Sequence, residues 1–221
     1  MKGRHELKFY INHLDRIELR TKLRAFAKSD ENATDGGYKI RSLYFDNYMD
    51  KAVHEKLSGQ SKREKFRLRY YNNDTSFIRL EKKSKSNQLV YKEDAAITAQ
   101  QCNDLLANNY NFLKLSKHSL FKELYTKIRH QLLQPKNIVD YYREVYIYAT
   151  GNVRITIDSH IKTSNNVAGF LNQELITVPA ANAIILEVKY DGFIPDVIRN
   201  IVQLDSRHQT EFSKYVVARF V

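Results

Sequence analysis

The feature that most restricts what this chain can fold into is a set of short segments in which every second residue is charged, mostly with one sign. The clearest are Lys65-Phe66-Arg67-Leu68-Arg69 and Arg79-Leu80-Glu81-Lys82-Lys83-Ser84-Lys85. Successive side chains of a strand point to opposite faces, so Lys65, Arg67 and Arg69 share one face while Phe66, Leu68 and Tyr70 share the other. The same parity recurs at Arg4-His5-Glu6-Leu7-Lys8-Phe9-Tyr10-Ile11, at Arg154-Ile155-Thr156-Ile157-Asp158 and at Ile184-Ile185-Leu186-Glu187-Val188-Lys189. Joined in one sheet, these strands give a face carrying Arg4, Lys8, Lys65, Arg67, Arg69, Arg79, Lys83, Lys85, Arg154 and Lys189 against Glu6, Glu81, Asp158 and Glu187.

A half-buried antiparallel sheet with its polar side in water produces the same alternation. A solvated face usually interleaves signs, however, because like charges opposed across strands destabilise a pair by about 0.2–1 kcal/mol. A face that concentrates Arg and Lys is held together at a cost and points to an anionic ligand. The few carboxylates lying beside the bases point to a divalent cation travelling with that ligand.

At 221 residues the expectation is one domain, 1–221, large enough to bury a core without staples. A hydrophobic content of 43% with 28% charged residues describes a globular protein. The net charge of +11 and pI near 9.5 predict attraction to polyanions, whether nucleic acid, an anionic membrane surface or phosphorylated small molecules. The single cysteine, Cys102, excludes an internal disulfide and any cysteine-based zinc site. The seven histidines have no metal-ligand spacing. With no signal-peptide pattern and no apolar run approaching about 18 residues, the reading is a complete, cytoplasmic chain without a membrane segment.

Along the chain, residues 4 to 12 read as a strand, followed by an amphipathic helix opened by Asn12 and carrying Leu14, Ile17, Leu19, Leu23 and Phe26. Further strands are expected at 38–45, 64–72, 76–84 and 88–95, with a short helix at 50–57 and turns at Asn72-Asn73-Asp74 and Ser84-Lys85-Ser86-Asn87. From Thr98 the period becomes helical, predicting two helices ended by Pro135. Strands return at 138–149, 152–161 and 183–190, and a last helix opens near Pro195. The fold class predicted is α+β, an antiparallel eight-stranded β-barrel with flanking helices. Closure of the sheet would manage its edges and turn the cationic face into the lining of a wet tunnel.

These residues resemble a known family, the triphosphate tunnel metalloenzymes, and within them the VTC-type polyphosphate polymerase domain. The resemblance spans nearly the whole chain. It rests on Arg4-x-Glu6-x-Lys8-Phe9-Tyr10, Ser42-Leu43-Tyr44-Phe45-Asp46, Lys65-Phe66-Arg67-Leu68-Arg69-Tyr70, Leu80-Glu81-Lys82-Lys83 and Tyr91-Lys92-Glu93. It continues through Tyr142-Arg143-Glu144, Arg154-Ile155-Thr156-Ile157-Asp158, Ile185-Leu186-Glu187-Val188-Lys189-Tyr190 and Phe212-Ser213-Lys214-Tyr215.

The resemblance implies a tunnel enzyme that transfers the γ-phosphate of ATP to a growing inorganic polyphosphate chain with Mn²⁺ or Mg²⁺. By the same resemblance, Arg67, Arg69, Lys83, Arg143 and Arg154 act on the transferring phosphates. Lys8, Lys92, Lys189, Ser213 and Lys214 bind phosphate, and Tyr141 or Tyr142 borders the nucleotide. Glu187 is the implied metal ligand, with Glu6, Glu81 and Asp158 as accessory candidates. Hydrolytic members resemble Glu-x-Glu-x-Lys in the first strand, so Arg4 in place of the first carboxylate favours the polymerase branch. Polymerases resemble Lys-Phe-Ser-Lys where this chain has Glu211-Phe212-Ser213-Lys214, a reversal of sign at one phosphate-binding position.

The chemistry matches these residue types. Phosphoryl transfer needs positioning and charge stabilisation, which planar Arg forks and Lys point charges supply. The alternatives are a tunnel triphosphatase and a non-catalytic module binding polyphosphate or RNA. Base recognition would place aromatics among the cations. Here Phe66 and Tyr70 alternate onto the opposite face, so nucleic acid is not the expected partner.

Overall fold

In a computed structural model, residues 3–31, 33, 36–87, 89–204 and 207–221 are described. Their strands are β1 (His5–Ile11), β2 (Lys28–Ser29), β3 (Gly37–Asp46), β4 (Lys62–Tyr71), β5 (Asp74–Ser86), β6 (Leu89–Ile97), β7 (Gln134–Tyr148), β8 (Val153–Ser164), β9 (Val178–Ala181) and β10 (Ile184–Tyr190). The helices are α1 (His13–Phe26), α2 (Lys51–Leu57), α3 (Ala99–Leu106), α4 (Asn111–Leu115), α5 (Ser119–Gln131), α6 (Asp196–Val202) and α7 (Lys214–Arg219).

Eight strands form one antiparallel path in the order β1-β10-β8-β7-β3-β4-β5-β6, with β2 beside β7 and β9 beside β8. Among the described residues the two ends of that path meet at one isolated bridge. The Arg4 amide donates to the Val90 carbonyl and the Val90 amide to the Arg4 carbonyl, each at 3.2 Å. The sheet therefore curls into a barrel-like tunnel that is not strictly closed, its end strands joined by that bridge.

Local chemistry places the elements. Asn12 caps α1 through a reciprocal box with Asp15, and Thr98 caps α3 in the same way with Gln101. Asn72 and Asn73, at φ 49° and 60°, make the two-residue turn that joins β4 to β5. Asparagine tolerates the left-handed region at both positions, the conformation a tight hairpin needs. A β-bulge in β8, with His160 at φ 54°, interrupts its register against β7.

The outward faces of β4, β5 and β6 bury Phe66, Leu68, Tyr70, Leu80 and Ile97 against Cys102, Leu105, Leu113, Leu120 and Leu124 of α3, α4 and α5. On the other side Ile155, Ile157, Leu186 and Val188 pack on Leu19 and Leu23 of α1 and Ile198 and Ile201 of α6. A third cluster lies on the inward face, where Ile40, Tyr44, Val139 and Ile185 meet Phe212, Tyr215 and Ala218. Tyr215 stacks on Tyr44 with centroids 5.1 Å apart and donates to Asp46 at 2.9 Å. Thus α7 fills part of the barrel interior and leaves the rest to polar side chains.

Several sequence expectations change. Leu14, Ile17 and Phe26 of α1 are exposed, because the helix turns Leu19 and Leu23 to the core and reaches β7 through Arg16 and Arg20, which pair with Glu144. The helical region after Thr98 holds three helices, since the chain breaks at 107–110 and again at 116–118. It ends at Gln131, and Pro135 lies inside β7. β5 runs on through Ser84 and Lys85 to Ser86, and Gln88 lies outside the described residues. Helix α6 is followed by α7, whose first turn is capped by Ser213.

Candidate functional site: a cationic chamber inside the barrel

Register decides which side chains converge. Arg67 lies opposite Glu81 and Tyr44, Arg69 opposite Ser42, Arg143 opposite Asp158, Lys8 opposite Glu187 and Glu6 opposite Lys189. All of these share the inward parity of their strands. Of the described residues, eleven basic side chains and three carboxylates line one chamber of about 280 Å³. Lys65, Lys83 and Lys92 stand in a row on three adjacent strands, each directly opposite the next. No solvated sheet gains from such a row.

The carboxylates organise the cations in three groups. Glu81 accepts from Arg67 Nε at 2.6 Å and lies 3.7 Å from Arg69 and 2.7 Å from Lys92. Asp158, fully buried, takes a two-pronged contact from Arg143 at 2.6 and 2.7 Å and a third bond from Lys214 at 2.5 Å. Glu6 lies 2.6 Å from Lys8 and 2.8 Å from Lys83, and Glu187 lies 3.5 Å from Lys8 and 2.7 Å from Lys189.

Burial pushes the Asp158 carboxyl up, yet Arg143 and Lys214 outweigh it and hold it down at about 2. Glu6 follows the same pattern. Burial and Glu187 raise it, while Lys83, Lys8 and Lys189 overcome both and keep it well below the usual carboxylate range.

Lys65 is different. Among the described residues it has no carboxylate at ion-pair distance, only the ring of Tyr44, 5.4 Å from its Nζ. Burial pushes its ammonium down to about 7. Tyr44 opposes that shift, and Lys83, Arg67 and Lys8 add to it. Lys83 is lowered to about 8, again first by burial, with Glu6 resisting. Tyr44 accepts from Arg67 Nη1 at 3.1 Å, and the surrounding Arg67, Lys65, Arg69 and Lys214 lower its phenol against the effect of burial.

Of the residues singled out from sequence, Lys8, Arg67, Arg69, Lys83, Lys92, Tyr141, Arg143, Arg154, Glu187, Lys189, Ser213 and Lys214 converge on the chamber. Arg154 is at its rim, held by Asp30 and the Tyr38 hydroxyl. Tyr141 accepts from Arg69 at 2.7 Å and lies beneath Lys214 Nζ at 4.7 Å. Tyr142 does not join the chamber. One residue along β7 it has the outward parity, and it lines a separate groove with Lys39 and Lys162. Ser213 Oγ is also shared with the Val216 amide of α7. Arg79 has inward parity but pairs with Asp94 instead of lining the chamber.

Glu81 and Asp158 each contact guanidinium groups as well as an ammonium, whereas Glu6 and Glu187 contact ammonium groups. Among the described residues no group of three or more His, Cys, Asp or Glu is arranged to hold a metal. Glu6 and Glu187 sit diagonally across β1 and β10 and share Lys8 and Lys189. Two hard carboxylates of this kind fit part of the shell of Mg²⁺ or Mn²⁺, ions that keep waters and take substrate phosphate oxygens.

Sequence reasoning left Tyr44 and Tyr71 out of the site, and placed Lys65 on the cationic face without assigning it a role. Lys65 was findable from its two-residue spacing to Arg67, and Tyr44 from its parity with Ser42.

The fold is similar to that of HpAC1 from Hippeastrum, designated an adenylyl cyclase and described as having a dominant triphosphatase activity. That match has 16% identity and a TM-score of 0.60, covering 98% of this chain and 95% of that one. It is also similar to the PH1012 protein from Pyrococcus horikoshii OT3, at 14% identity and TM-score 0.53, covering 97% of this chain and 98% of that one. At these identities the likeness concerns the fold. No curated protein matches the chain. The VTC domain model matches residues 3–220, and with the tunnel fold and its cationic lining in place, the chain belongs to the VTC domain family.

Proposed function

We propose that the chain is an ATP-dependent polyphosphate polymerase that works inside this chamber. The observation that carries the reading is the opposed row Lys65, Lys83 and Lys92, in which Lys65 has no acid of its own among the described residues. An anion of several charges would complete such a row, and a triphosphate or a phosphate chain has that form.

The residues divide the work. Arg67 and Arg69, held by Glu81, and Arg143 and Lys214, held by Asp158, present N–H donors from two sectors of the wall. Because their anchors fix them before substrate arrives, they can stabilise charge on a transferring phosphoryl group without reorganising. Lys8, Lys83 and Lys189 hold the remaining phosphates beside Glu6 and Glu187. Those two carboxylates would hold a Mg²⁺ or Mn²⁺, which when bound neutralises phosphate charge. In the transfer, a terminal phosphate oxygen of the chain forms a bond to the γ-phosphorus of ATP as the bond to the β,γ-bridging oxygen breaks and ADP leaves. No protein nucleophile is required.

The decisive experiment incubates purified protein with ATP and Mn²⁺ and resolves the products on a gel. ADP together with a long, phosphatase-sensitive chain is the expected outcome. Orthophosphate as the only phosphate product would replace the reading with a tunnel triphosphatase. One observation favours that second reading: Glu211 offsets part of the positive charge at one mouth of the cavity, shortening the cationic path available to a long chain.

A further inference from the structure

The chamber continues into an outer lobe. The two share Glu6, Lys8, Lys65, Lys83, Phe212 and Ser213, and the lobe ends at Lys56, Arg63, Lys85 and Glu211. The Glu211 carboxylate reaches all three of these cations. It pairs with Lys56, lies 3.2 Å from Arg63 Nη2 and 3.3 Å from Lys85 Nζ. Those donors come from α2, β4 and β5, and they meet at one point in space because the Glu211 carboxylate stands there.

Backbone and side chain of Glu211 are held very differently. On one side the Thr210 amide donates to the Lys8 carbonyl at 2.8 Å. On the other, Phe212 is buried with its ring 5.4 Å from that of Tyr10, its carbonyl accepts from Lys8 Nζ at 3.4 Å, and Ser213 caps α7. The main chain is therefore pinned to β1 and α7. The side chain is 66% exposed, so a rotamer change moves the carboxylate into water without disturbing the segment. Lys56 first, then burial opposed by Lys85, leave the carboxyl at about 2, so it remains an anion across the physiological range.

We infer that Glu211 is a built-in competitor for the outer anion subsite and sets which phosphate chains the tunnel accepts. A short chain, of triphosphate length, occupies the inner chamber and leaves Glu211 in place. A longer one must put a phosphate where the Glu211 carboxylate now sits, and Lys56, Arg63 and Lys85 are the donors that would receive it. The competition discriminates by length because only the longer ligand pays for displacing the carboxylate. This inference rests on the tunnel binding phosphate chains, and it holds whether the bound chain is extended or hydrolysed.

The test measures direct binding of two probes, inorganic tripolyphosphate and a long-chain inorganic polyphosphate, to the wild type, to Glu211→Gln and to Glu174→Gln. Glu174 lies on an exposed loop away from the cavity, so its variant reports the same change in net charge without touching the mouth. Glu211→Gln is expected to tighten long-chain binding by roughly two- to fivefold, the range for a partly exposed charge contact. Tripolyphosphate binding is expected to change less than about twofold, as is binding of either probe to Glu174→Gln. Equal tightening for both probes, or no change for either, would overturn the competitor role while leaving the tunnel reading intact. Failure of wild type to bind even tripolyphosphate would overturn the tunnel reading itself, and the inference with it.

Discussion

Lys65 and Lys83 face each other directly across β4 and β5, both inside the barrel, and among the described residues only Lys83 of the two has a carboxylate, Glu6, at 2.8 Å. Two buried ammonium groups in register are costly to fold around. The cost makes sense as preorganisation for a polyanion, and it has consequences for stability, for pH dependence and for turnover.

Replacing Lys65 with methionine should stabilise the free protein while impairing phosphate binding. Burial holds Lys65 at about 7 against an ordinary 10.5, so the unfolded chain binds the additional proton. At neutral pH that difference works against the fold. Removing it is expected to raise the thermal midpoint by about 2–8 °C, for a gain of about 1–2 kcal/mol. Thermal unfolding of wild type and Lys65→Met without ligand measures this, and a lowered midpoint would contradict it.

The pH dependence follows with its sign. Lys65 at about 7 and Lys83 at about 8 lose protons as pH rises through that window, whereas a bound phosphate chain favours the ammonium forms. Binding tripolyphosphate at pH 8 should therefore take up protons, and affinity should fall as pH rises from 7 to 9. For the free fold, the same depressed values mean stability rises with pH between about 7 and the ordinary 10.5. Calorimetry in two buffers of different ionisation enthalpy reads the proton uptake directly, and identical observed heats in the two buffers would exclude it.

Asp158→Ala should be among the most damaging single changes. It leaves Arg143 and Lys214 buried without their shared acid. Loss of one partner of a buried ion pair costs about 3–5 kcal/mol. Urea unfolding is the measurement, and Asp158→Asn, which keeps an acceptor for Arg143, should lose less.

Arg67→Lys preserves charge yet removes the forked contact by which one guanidinium meets both Glu81 and the Tyr44 hydroxyl. A fall in kcat of about 10²-fold is expected, with little change in the unfolding midpoint. Steady-state ATP turnover and thermal unfolding of the same preparation separate catalytic from structural loss.

Glu187→Gln should raise the concentration of Mn²⁺ or Mg²⁺ needed for half-maximal turnover by about tenfold or more, at least the loss seen when groups that support a metal's ligands are removed. Chelation should abolish turnover by the wild type. A metal titration unchanged by the substitution would make Glu187 a partner of Lys8 and Lys189 only.

Much of the barrel was legible locally. The alternation in Lys65-Phe66-Arg67-Leu68-Arg69 identifies β4 and its two faces, because period-2 parity is a property of a few consecutive residues. Asn12 and the Asn72-Asn73 turn were legible for the same reason, since a cap or a hairpin turn is decided within a handful of residues. Parity does not give depth along the barrel axis. Arg79 and Lys85 have the same parity as Lys83, yet Arg79 pairs with Asp94 and Lys85 stands at the outer mouth. Tyr141 and Tyr142 were equivalent candidates until register turned Tyr141 toward Arg69.

From its sequence alone, this chain is determined to make an antiparallel sheet with one cationic face and to attract polyanions, because strand parity and net charge do not depend on which segments meet. Only the tertiary structure decided which acid neutralises which base. Asp158 anchors Arg143 and Lys214, Glu6 takes Lys83, Lys65 receives no carboxylate among the described residues, and Glu211 closes on Lys56, Arg63 and Lys85. Those pairings join positions as far apart as 56 and 211, and a charge's effect on its neighbours is set by distance and burial, which no local pattern records.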